Sequence, residues 1–483
     1  MSTSQREHVS GERRDVGVLF PQYIEDYVGA ENPARVVDAF VAGLDLRELG
    51  FSKTDLADVG RKPYNPADML RLYIWGNLNR VRSSRRLEQE AQRNLEVMWL
   101  LRKLTPDDKT IANFRKENAA KLKGVLVKFN LVCQSLELFG KESVAVDGSR
   151  FAAVNSKKRN FTQEKLDKRI KEIGEQIDQY LKELEANDKE EESLPKETAE
   201  SIAQKIKWLK ERLEQCGALR EEMKESGEKQ VSLTDPDSRA MYKNGSTDVG
   251  FNVQVAVDSK HNMISTCEVT NAVNDKEQLA PMAEAAKKAL GVDKLEVLAD
   301  KGYYTPEQIA KCEEQGGITT FVPLVNTAAM HKGEIPSPEY ENDKFAYNQS
   351  ADTYTCPQGQ TLVRIGEAQK RYATKACVGC IARHLCTANK EGRIISRSDF
   401  AGATDRLKQR VAQNPDKTKI RGQIVEPVFG AIKHAMEFLG FKLRGRLNAD
   451  GEFSMVALAY NMKRAMNVLS VPVLLATLRN GSG

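Results

Sequence analysis

The chain has 483 residues, 40% of them hydrophobic and 29% charged, which is room for about three ordinary domains. This composition excludes a small disulfide-stapled scaffold and a disordered chain. The net charge of +5, spread over the whole chain, is too small to demand a polyanionic partner. Residues 1–16 lack a signal-peptide apolar segment, and the apolar run 468–478 is too short for a bilayer. We therefore expect a cytoplasmic protein with no membrane partner.

Residues 1–140 show helical spacing of apolar side chains and no strand pattern. A basic segment follows a short helix that we expect to end near Gly76. Its arginines are Arg82, Arg85 and Arg86. Taken alone, such a segment is more often a solvated helix face than a binding surface.

After residue 140, short apolar runs alternate with helical patterns. Five strands are predicted, over 144–147, 251–258, 263–270, 295–300 and 319–325. Two helices are expected to complete the C-terminal part. Mixed strands between helices indicate an α/β fold with a five-stranded sheet covered on both faces.

Residues 161–230 interrupt this pattern with apolar residues at helical spacing on both sides of a polar break at Pro195. The spacing predicts an inserted antiparallel helical hairpin of coiled-coil type. It carries 19 acidic and 14 basic residues, a net charge of −5. Such a hairpin either mediates a protein contact or decorates the surface.

Two acids follow buried strands, at Asp147 and Asp300. Open α/β sheets place their ligand sites at such strand ends, and a third carboxylate would complete a site for a hard cation. Glu426 is the best candidate, with Lys433 two helical turns further on. Pro427 suits the first turn of a helix, which would place Glu426 at the helix N-terminus.

The combination of several short motifs resembles the bacterial insertion-sequence transposases of the DDE class. The three acid motifs are Val146-Asp147-Gly148-Ser149, Leu298-Ala299-Asp300-Lys301-Gly302-Tyr303 and the segment 425–433. Further similar segments are 64–70, 83–88, 234–238, 250–254 and 458–464. The resemblance extends over roughly residues 15–470 of the chain.

This resemblance implies a ribonuclease-H-like catalytic core in which Asp147, Asp300 and Glu426 are catalytic and hold two Mg²⁺ or Mn²⁺ ions. It also implies an enzyme that binds the terminal inverted repeats of its element, cleaves double-stranded DNA and joins the 3′-hydroxyl ends to target DNA, as a homodimer on DNA. The family often has a tyrosine and an arginine before the glutamate. Here those positions hold Lys419 and Gly422, and Arg421 is displaced by one residue.

The resemblance also suggests how the chain divides into domains. We expect a helical DNA-binding domain at 1–140, catalytic-core segments at 141–160, 231–330 and 396–483, the hairpin at 161–230 and a cysteine-rich insertion at 331–395. Two alternatives keep the same fold: a non-catalytic DNA-binding or regulatory derivative, and a stand-alone metal-dependent nuclease. Three intact acids favour the transposase.

Basic residues crowd the segments around Glu426. Residues 387–421 hold nine basic and four acidic residues, and 422–483 hold seven and four. Such side chains neutralise phosphates without reading base sequence. The expected DNA contacts here are Arg421, Lys433, Lys442, Arg444 and Arg446, and those of the N-terminal domain are Arg82, Arg85 and Arg86.

Four of the eight cysteines lie close together in sequence, at Cys356, Cys377, Cys380 and Cys386. A C-x-x-C pair with two further thiols is typical of a structural zinc site, and four reduced thiols are the alternative. His384 could replace one thiol as the fourth ligand. The scattered cysteines are expected to be small core residues.

Overall fold

The computed structural model describes residues 23–55, 62–154, 160–189, 196–227, 230–232, 234–243, 246–314, 316–324, 337–366 and 370–480. Three sequence predictions fall outside these ranges, at residues 1–16, at the hairpin tip around Pro195 and at Val325. The chain forms two compact units. One contains the residues up to Lys121 and those from Met462 on, and the other is Leu122–Asn461.

The N-terminal part is helical, as expected. Its helices are α1 (Pro33–Ala42), α2 (Pro66–Leu78), α3 (Ser84–Arg93), α4 (Leu95–Leu100) and α5 (Asp108–Asn118). Helices α1 and α2 both begin at an Asn-Pro-Ala sequence, in which the asparagine side chain accepts the alanine N–H at 2.8 Å. Proline fits the following first turn because its missing N–H would have no partner there.

From residue 122 on, helices and strands alternate. They are α6 (Leu122–Ser135), β1 (Ser143–Ala152), β2 (Asn160–Thr162), α7 (Gln163–Lys189), α8 (Lys196–Ser226), β3 (Gln230–Ser232), β4 (Arg239–Lys243), β5 (Ser246–Asp258), β6 (Ile264–Thr270), α9 (Leu279–Leu290), β7 (Leu295–Leu298), α10 (Pro306–Glu314), β8 (Ile318–Phe321), β9 (Ala346–Asn348), β10 (Thr353–Thr355), β11 (Thr361–Ile365), β12 (Arg371–Ala373), α11 (Arg383–Cys386), β13 (Ile395–Ser396), α12 (Ala401–Gln413), α13 (Pro415–Gly430), α14 (Arg446–Leu469) and α15 (Val471–Asn480).

The second unit is built on a mixed sheet of six strands in the order β4-β5-β1-β7-β8, with β6 also paired to β5. Strand β1 is antiparallel to β5 and parallel to β7, and β7 is parallel to β8. The five predicted strands are present, and β4 is a sixth that the sequence analysis missed. The predicted mixed α/β architecture with a helical N-terminal part is therefore confirmed.

Strand β1 differs from its prediction because it does not end at Asp147. It continues to Ala152, since β5 pairs with it without interruption from Asp258 to Gly250. Gly148 and Ser149 are therefore strand residues and not a turn.

The inserted hairpin consists of the long helices α7 and α8, with the short pair β2 and β3 at its base. Thr162 and Gln230 lie opposite each other in that pair. Apolar side chains from both helices form a separate core that includes Leu166, Ile173 and Leu209. The predicted helical hairpin is present, with its own hydrophobic core.

The cysteine-rich segment forms a small five-stranded sheet in the order β13-β12-β11-β10-β9. In the described part of this segment, five buried hydrophobic side chains form one cluster: Phe345, Tyr354, Leu362, Tyr372 and Ile395.

The C-terminal part holds four α-helices, α12 to α15, and a π-helical turn at Ala431–Ala435, instead of the two helices expected. An aromatic cluster joins part of this region to the sheet, because Phe151 of β1 contacts the rings of Phe429, Phe438, Phe441 and Phe453. Among the described helices, none is long and apolar enough to cross a membrane.

Candidate active site

Asp147 lies on β1, and Asp300 lies just beyond the end of the neighbouring parallel strand β7. Ala145 of β1 pairs with Leu298, the last residue of β7, and each aspartate follows its member of this pair by two residues. The sheet therefore brings together two acids that are 153 positions apart in the sequence.

The Asp147 carboxylate is held from two sides. Its Oδ1 accepts the Gly148 N–H at 2.8 Å, and its Oδ2 lies 3.2 Å from Nη1 of Arg421. Burial raises the pKa of Asp147 to about 6; the Arg421 charge opposes this shift and the Asp300 charge adds to it. Asp300 lies at the start of the 3₁₀ turn Lys301–Tyr303, where its Oδ1 accepts the Gly302 N–H at 2.7 Å.

A buried polar network lies beside these acids, and the sequence analysis missed it. Asp275 accepts hydrogen bonds from Asn252 and Gln254, both at 2.7 Å, and the Tyr303 hydroxyl donates to Gln254. Burial raises the pKa of Tyr303, and the charges of Asp275, Asp147 and Asp300 raise it further. Two amides at alternate positions of β5 were the available sequence signal, since alternate strand residues share a face.

Glu426 lies inside α13 and not at its N-terminus, which corrects the prediction. The helix begins at Pro415, so Pro427 interrupts its hydrogen bonding. The carbonyl oxygen of Gln423, which has no N–H partner four residues on, accepts the Asn262 side-chain amide at 3.3 Å. An external donor thus allows the helix to continue through Pro427, and the sequence pattern does not show this donor.

Arg421 links Asp147 to Glu426. Its Nη1 lies 3.2 Å from Asp147 Oδ2, and its Nη2 lies 3.4 Å from Glu426 Oε1. At Gly422 an added Cβ would lie 2.9 Å from Glu426 Oε1, so the carboxylate occupies the space beside this glycine. Lys419, where the related proteins often have tyrosine, is 77% exposed and faces Asp416.

The donor set fits a hard divalent cation, because carboxylate oxygens are the ligands that Mg²⁺ and Mn²⁺ prefer. Asp147 and Asp300 are close enough for one charge to raise the pKa of the other group. The Glu426 carboxylate is 68% exposed and pairs with Arg421. Over the residues that the structure describes, no three His, Cys, Asp or Glu side chains are placed as ligands of one ion.

Lys433 lies next to this site, on the π-helical turn. Its ammonium donates to Ser149 Oγ and lies 5.0 Å from the centre of the Phe151 ring. Ser149 is two residues after Asp147 on β1, and therefore on the same face of the sheet. Lys433 thus adds a positive charge beside the acids.

The predicted DNA contacts Lys442, Arg444 and Arg446 lie in the segment that leads into α14. Lys442 and Arg444 are exposed, and Arg446 is 4.0 Å from Glu268. Buried Asp235 accepts the Gly445 N–H, and Asp237 accepts the Arg446 N–H at 2.8 Å. The sequence analysis noticed 234–238 only as a resemblance, and the structure gives Asp235 and Asp237 an anchoring role.

The N-terminal arginines belong to the first unit. Arg85 and Arg86 are exposed on α3, with Arg85 3.4 Å from Asp108, and Arg82 is partly buried. Lys463 belongs to the same unit, and its pKa is lowered by burial and by the charges of Arg80 and Arg82. Positively charged side chains therefore lie together near the N-terminal end of α3.

The four clustered cysteines, Cys356, Cys377, Cys380 and Cys386, line one small cavity in the cysteine-rich subdomain. The other four cysteines are buried elsewhere, and all eight are free thiols. His384 is exposed, and its Nδ1 lies 3.1 Å from the Ile381 carbonyl oxygen.

Two segments of the chain match models of known protein families. Residues 22–117 match a family model described as a transposase domain (DUF772), and residues 355–466 match one described as a transposase DDE domain. The second match includes the clustered cysteines and Glu426 but neither aspartate. A search of curated proteins gave no match.

Among solved structures, the chain is similar to the piggyBac transposase in a synaptic complex with hairpin DNA. That likeness has a TM-score of 0.33 and 7% identity, and it covers 94% of this chain and 79% of the other. A TM-score this low supports no statement about fold or function. The two domain matches support a DDE transposase of the insertion-sequence type.

Proposed function

We propose that this protein is an active transposase, which binds the inverted-repeat ends of its element, cleaves the DNA by metal-dependent phosphodiester hydrolysis and joins the 3′-hydroxyl ends to target DNA. One observation carries the proposal: the sheet register sets Asp147 beside Asp300, while Arg421 connects Asp147 to Glu426. This arrangement supports a single site formed by three acids from distant parts of the sequence.

The proposed core is ribonuclease-H-like. The strand order β6-β5-β1-β7-β8 supports this, with three antiparallel strands followed by two parallel ones that are reached through α9 and α10. In such a core, Asp147, Asp300 and Glu426 would hold two Mg²⁺ or Mn²⁺ ions. Bound there, two divalent ions supply activation of the attacking oxygen and stabilisation of the leaving oxygen in an in-line displacement.

The remaining residues bind and orient DNA in this proposal. Arg421 and Lys433 place positive charge beside the acids, where a phosphate would approach. Lys442, Arg444 and Arg446 contact the DNA backbone next to α14. In the first unit, Arg82, Arg85 and Arg86 contact the inverted repeat, and Lys463 adds to their positive charge. The protein acts as a homodimer on DNA, in which the helical hairpin supplies a protein contact.

The test is an assay of the full chain with Mg²⁺ and a DNA duplex that carries the element's end. We expect cleavage and joining by the wild type. Asp300→Ala should lower the cleavage rate on the order of 100-fold or more, because bound metal ions stabilise the transition state by several kcal/mol. Asp416→Ala is the control, since this aspartate of α13 is 82% exposed.

Three outcomes would overturn these proposals. A wild type that binds the ends but neither cleaves nor joins with Mg²⁺ or Mn²⁺ would favour the non-catalytic derivative. Cleavage that survives Asp300→Ala would exclude the assigned site. A wild type that cleaves without joining would indicate the stand-alone nuclease.

A further inference from the structure

The cysteine-rich subdomain has a small hydrophobic core. Residues 337–396 form strands of two to five residues, and five side chains make up the buried cluster in the described part of this segment. Domains of this size rarely gain enough from apolar burial, so they commonly need a disulfide or a metal as a cross-link. All four of its cysteines are free thiols, so no disulfide supplies this cross-link.

These four cysteines come from three separate turns of the chain. Cys356 precedes a tight turn, Cys377 lies in the 3₁₀ turn Lys375–Gly379, Cys380 follows that turn and Cys386 ends α11. All four line a cavity of about 30 Å³. No carboxylate or histidine is among the described residues that line this cavity.

The backbone lies close to two of these thiols, Cys356 and Cys377. The Gln360 N–H donates to Cys356 Sγ at 3.3 Å, in a turn that Gly359 closes with φ of +73°. Gly392 packs directly on Cys377, where an added Cβ would lie 2.6 Å from the cysteine Cβ. A side chain at position 392 would thus displace Cys377 from the cavity.

The charges around the cavity suit a tetrathiolate site. Arg383 and Arg393 line the same cavity, and two guanidinium groups balance the net charge of −2 that four thiolates leave around one Zn²⁺. The four thiols and the two guanidinium groups thus line one cavity.

We propose that Cys356, Cys377, Cys380 and Cys386 bind one structural Zn²⁺ that holds this subdomain together. As described, no three of these thiols are placed as ligands of a single ion. Binding of the ion would therefore require the thiols to turn toward the cavity by rotation about χ1. Four thiolates leave no open coordination position, so the ion is structural and takes no part in DNA cleavage.

The experiment measures metal on the purified full-length protein, prepared without chelators from cells supplied with zinc. We expect about one zinc per chain, and after exchange with Co²⁺ the absorption of a tetrahedral cobalt thiolate site. The double variant Cys377→Ser/Cys380→Ser should lose most of its zinc. Cys312→Ser is the matched control, because this buried cysteine lies outside the cavity, and it should keep its zinc.

A second measurement on the wild type does not depend on the folding of any variant. Removal of the zinc should expose four more thiols to an alkylating reagent than the zinc-loaded protein offers. His384→Ala should leave the zinc content unchanged, and loss of zinc in that variant would overturn the four-thiol assignment. A wild type that neither contains zinc nor takes up Co²⁺, or that forms a Cys377–Cys380 disulfide instead, would overturn the proposal.

Discussion

Gly148, the residue after Asp147, lies against three side chains of the polar network. A Cβ added there would be 2.4 Å from Gln254 Nε2, 2.7 Å from Asp275 Oδ1 and 3.0 Å from Asn252 Oδ1. Asn252 Nδ2 and Gln254 Nε2 both donate to Asp275 Oδ1, so these three side chains cannot move apart independently. The absence of a side chain at position 148 therefore allows the network to pack directly against the strand that carries Asp147.

We expect Gly148→Ala to destabilise the protein by about 1–3 kcal/mol, the usual cost of overpacking, and to lower the rate of metal-dependent cleavage. Thermal unfolding and the cleavage assay measure the two effects. Gly174→Ala on α7 is the control, because its Cβ would meet nothing within 4 Å. An unchanged unfolding midpoint in Gly148→Ala would show that the network moves freely.

At the scale of elements, α13 carries Glu426 to the site even though Pro427 follows it. The helix also contains two glycines, which differ in their surroundings. At Gly422 a Cβ would lie 2.9 Å from Glu426 Oε1, whereas at Gly430 nothing lies within 4 Å. The two positions thus separate the effect of a glycine on helix stability from its effect on the glutamate.

Gly422→Ala and Gly430→Ala should both leave the protein as stable or stabilise it by about 0.5–1 kcal/mol, since alanine is the better helix former. Only Gly422→Ala should lower cleavage, by on the order of 10-fold to 100-fold, because Glu426 must shift. Unfolding midpoints and cleavage rates measured side by side test this. Equal cleavage rates in the two variants would contradict an active role of Glu426 in its present position.

For the whole molecule, the distribution of charge matters more than the total. The hairpin region 161–230 carries −5 in a chain of +5, so the remainder carries +10. The hairpin also has its own hydrophobic core, and a single pair of short strands, β2 and β3, connects it to the rest of the chain. The acidic insertion is thus separate in both charge and packing from the body that holds the acids.

Replacement of residues 163–229 by Asn-Gly should preserve the fold of the remainder, because Thr162 and Gln230 already face each other across β2 and β3 and a two-residue turn can join them. We expect an unfolding midpoint within about 4 °C of the wild type, the shift that about 1 kcal/mol produces in a domain of this size. Loss of cooperative unfolding would show that the hairpin is part of the main core.

The same deletion leaves a more basic protein. Non-specific DNA binding should become tighter at low salt and this gain should disappear at high salt, since it arises from net charge. A filter-binding titration over a range of salt concentrations measures it. Weaker binding after the deletion would instead assign DNA contacts to the hairpin.

The sequence by itself determined the helical N-terminal part, the five strands and the helical hairpin, and it predicted the three acids, because each depends on local periodicity or on a short motif. It did not predict β4, the continuation of β1 beyond Asp147 or the course of α13 through Pro427. Those features depend on partners distant in sequence: β5 extends β1, and the Asn262 amide satisfies the Gln423 carbonyl.

Only the tertiary structure decided which side chains meet. The pairing of β1 with β7 sets Asp147 beside Asp300, the network of Asn252, Gln254 and Asp275 packs against Gly148, and four cysteines from three turns line one cavity. The physical reason is that periodicity specifies which face of an element is buried, whereas strand register and packing select the neighbour that covers it.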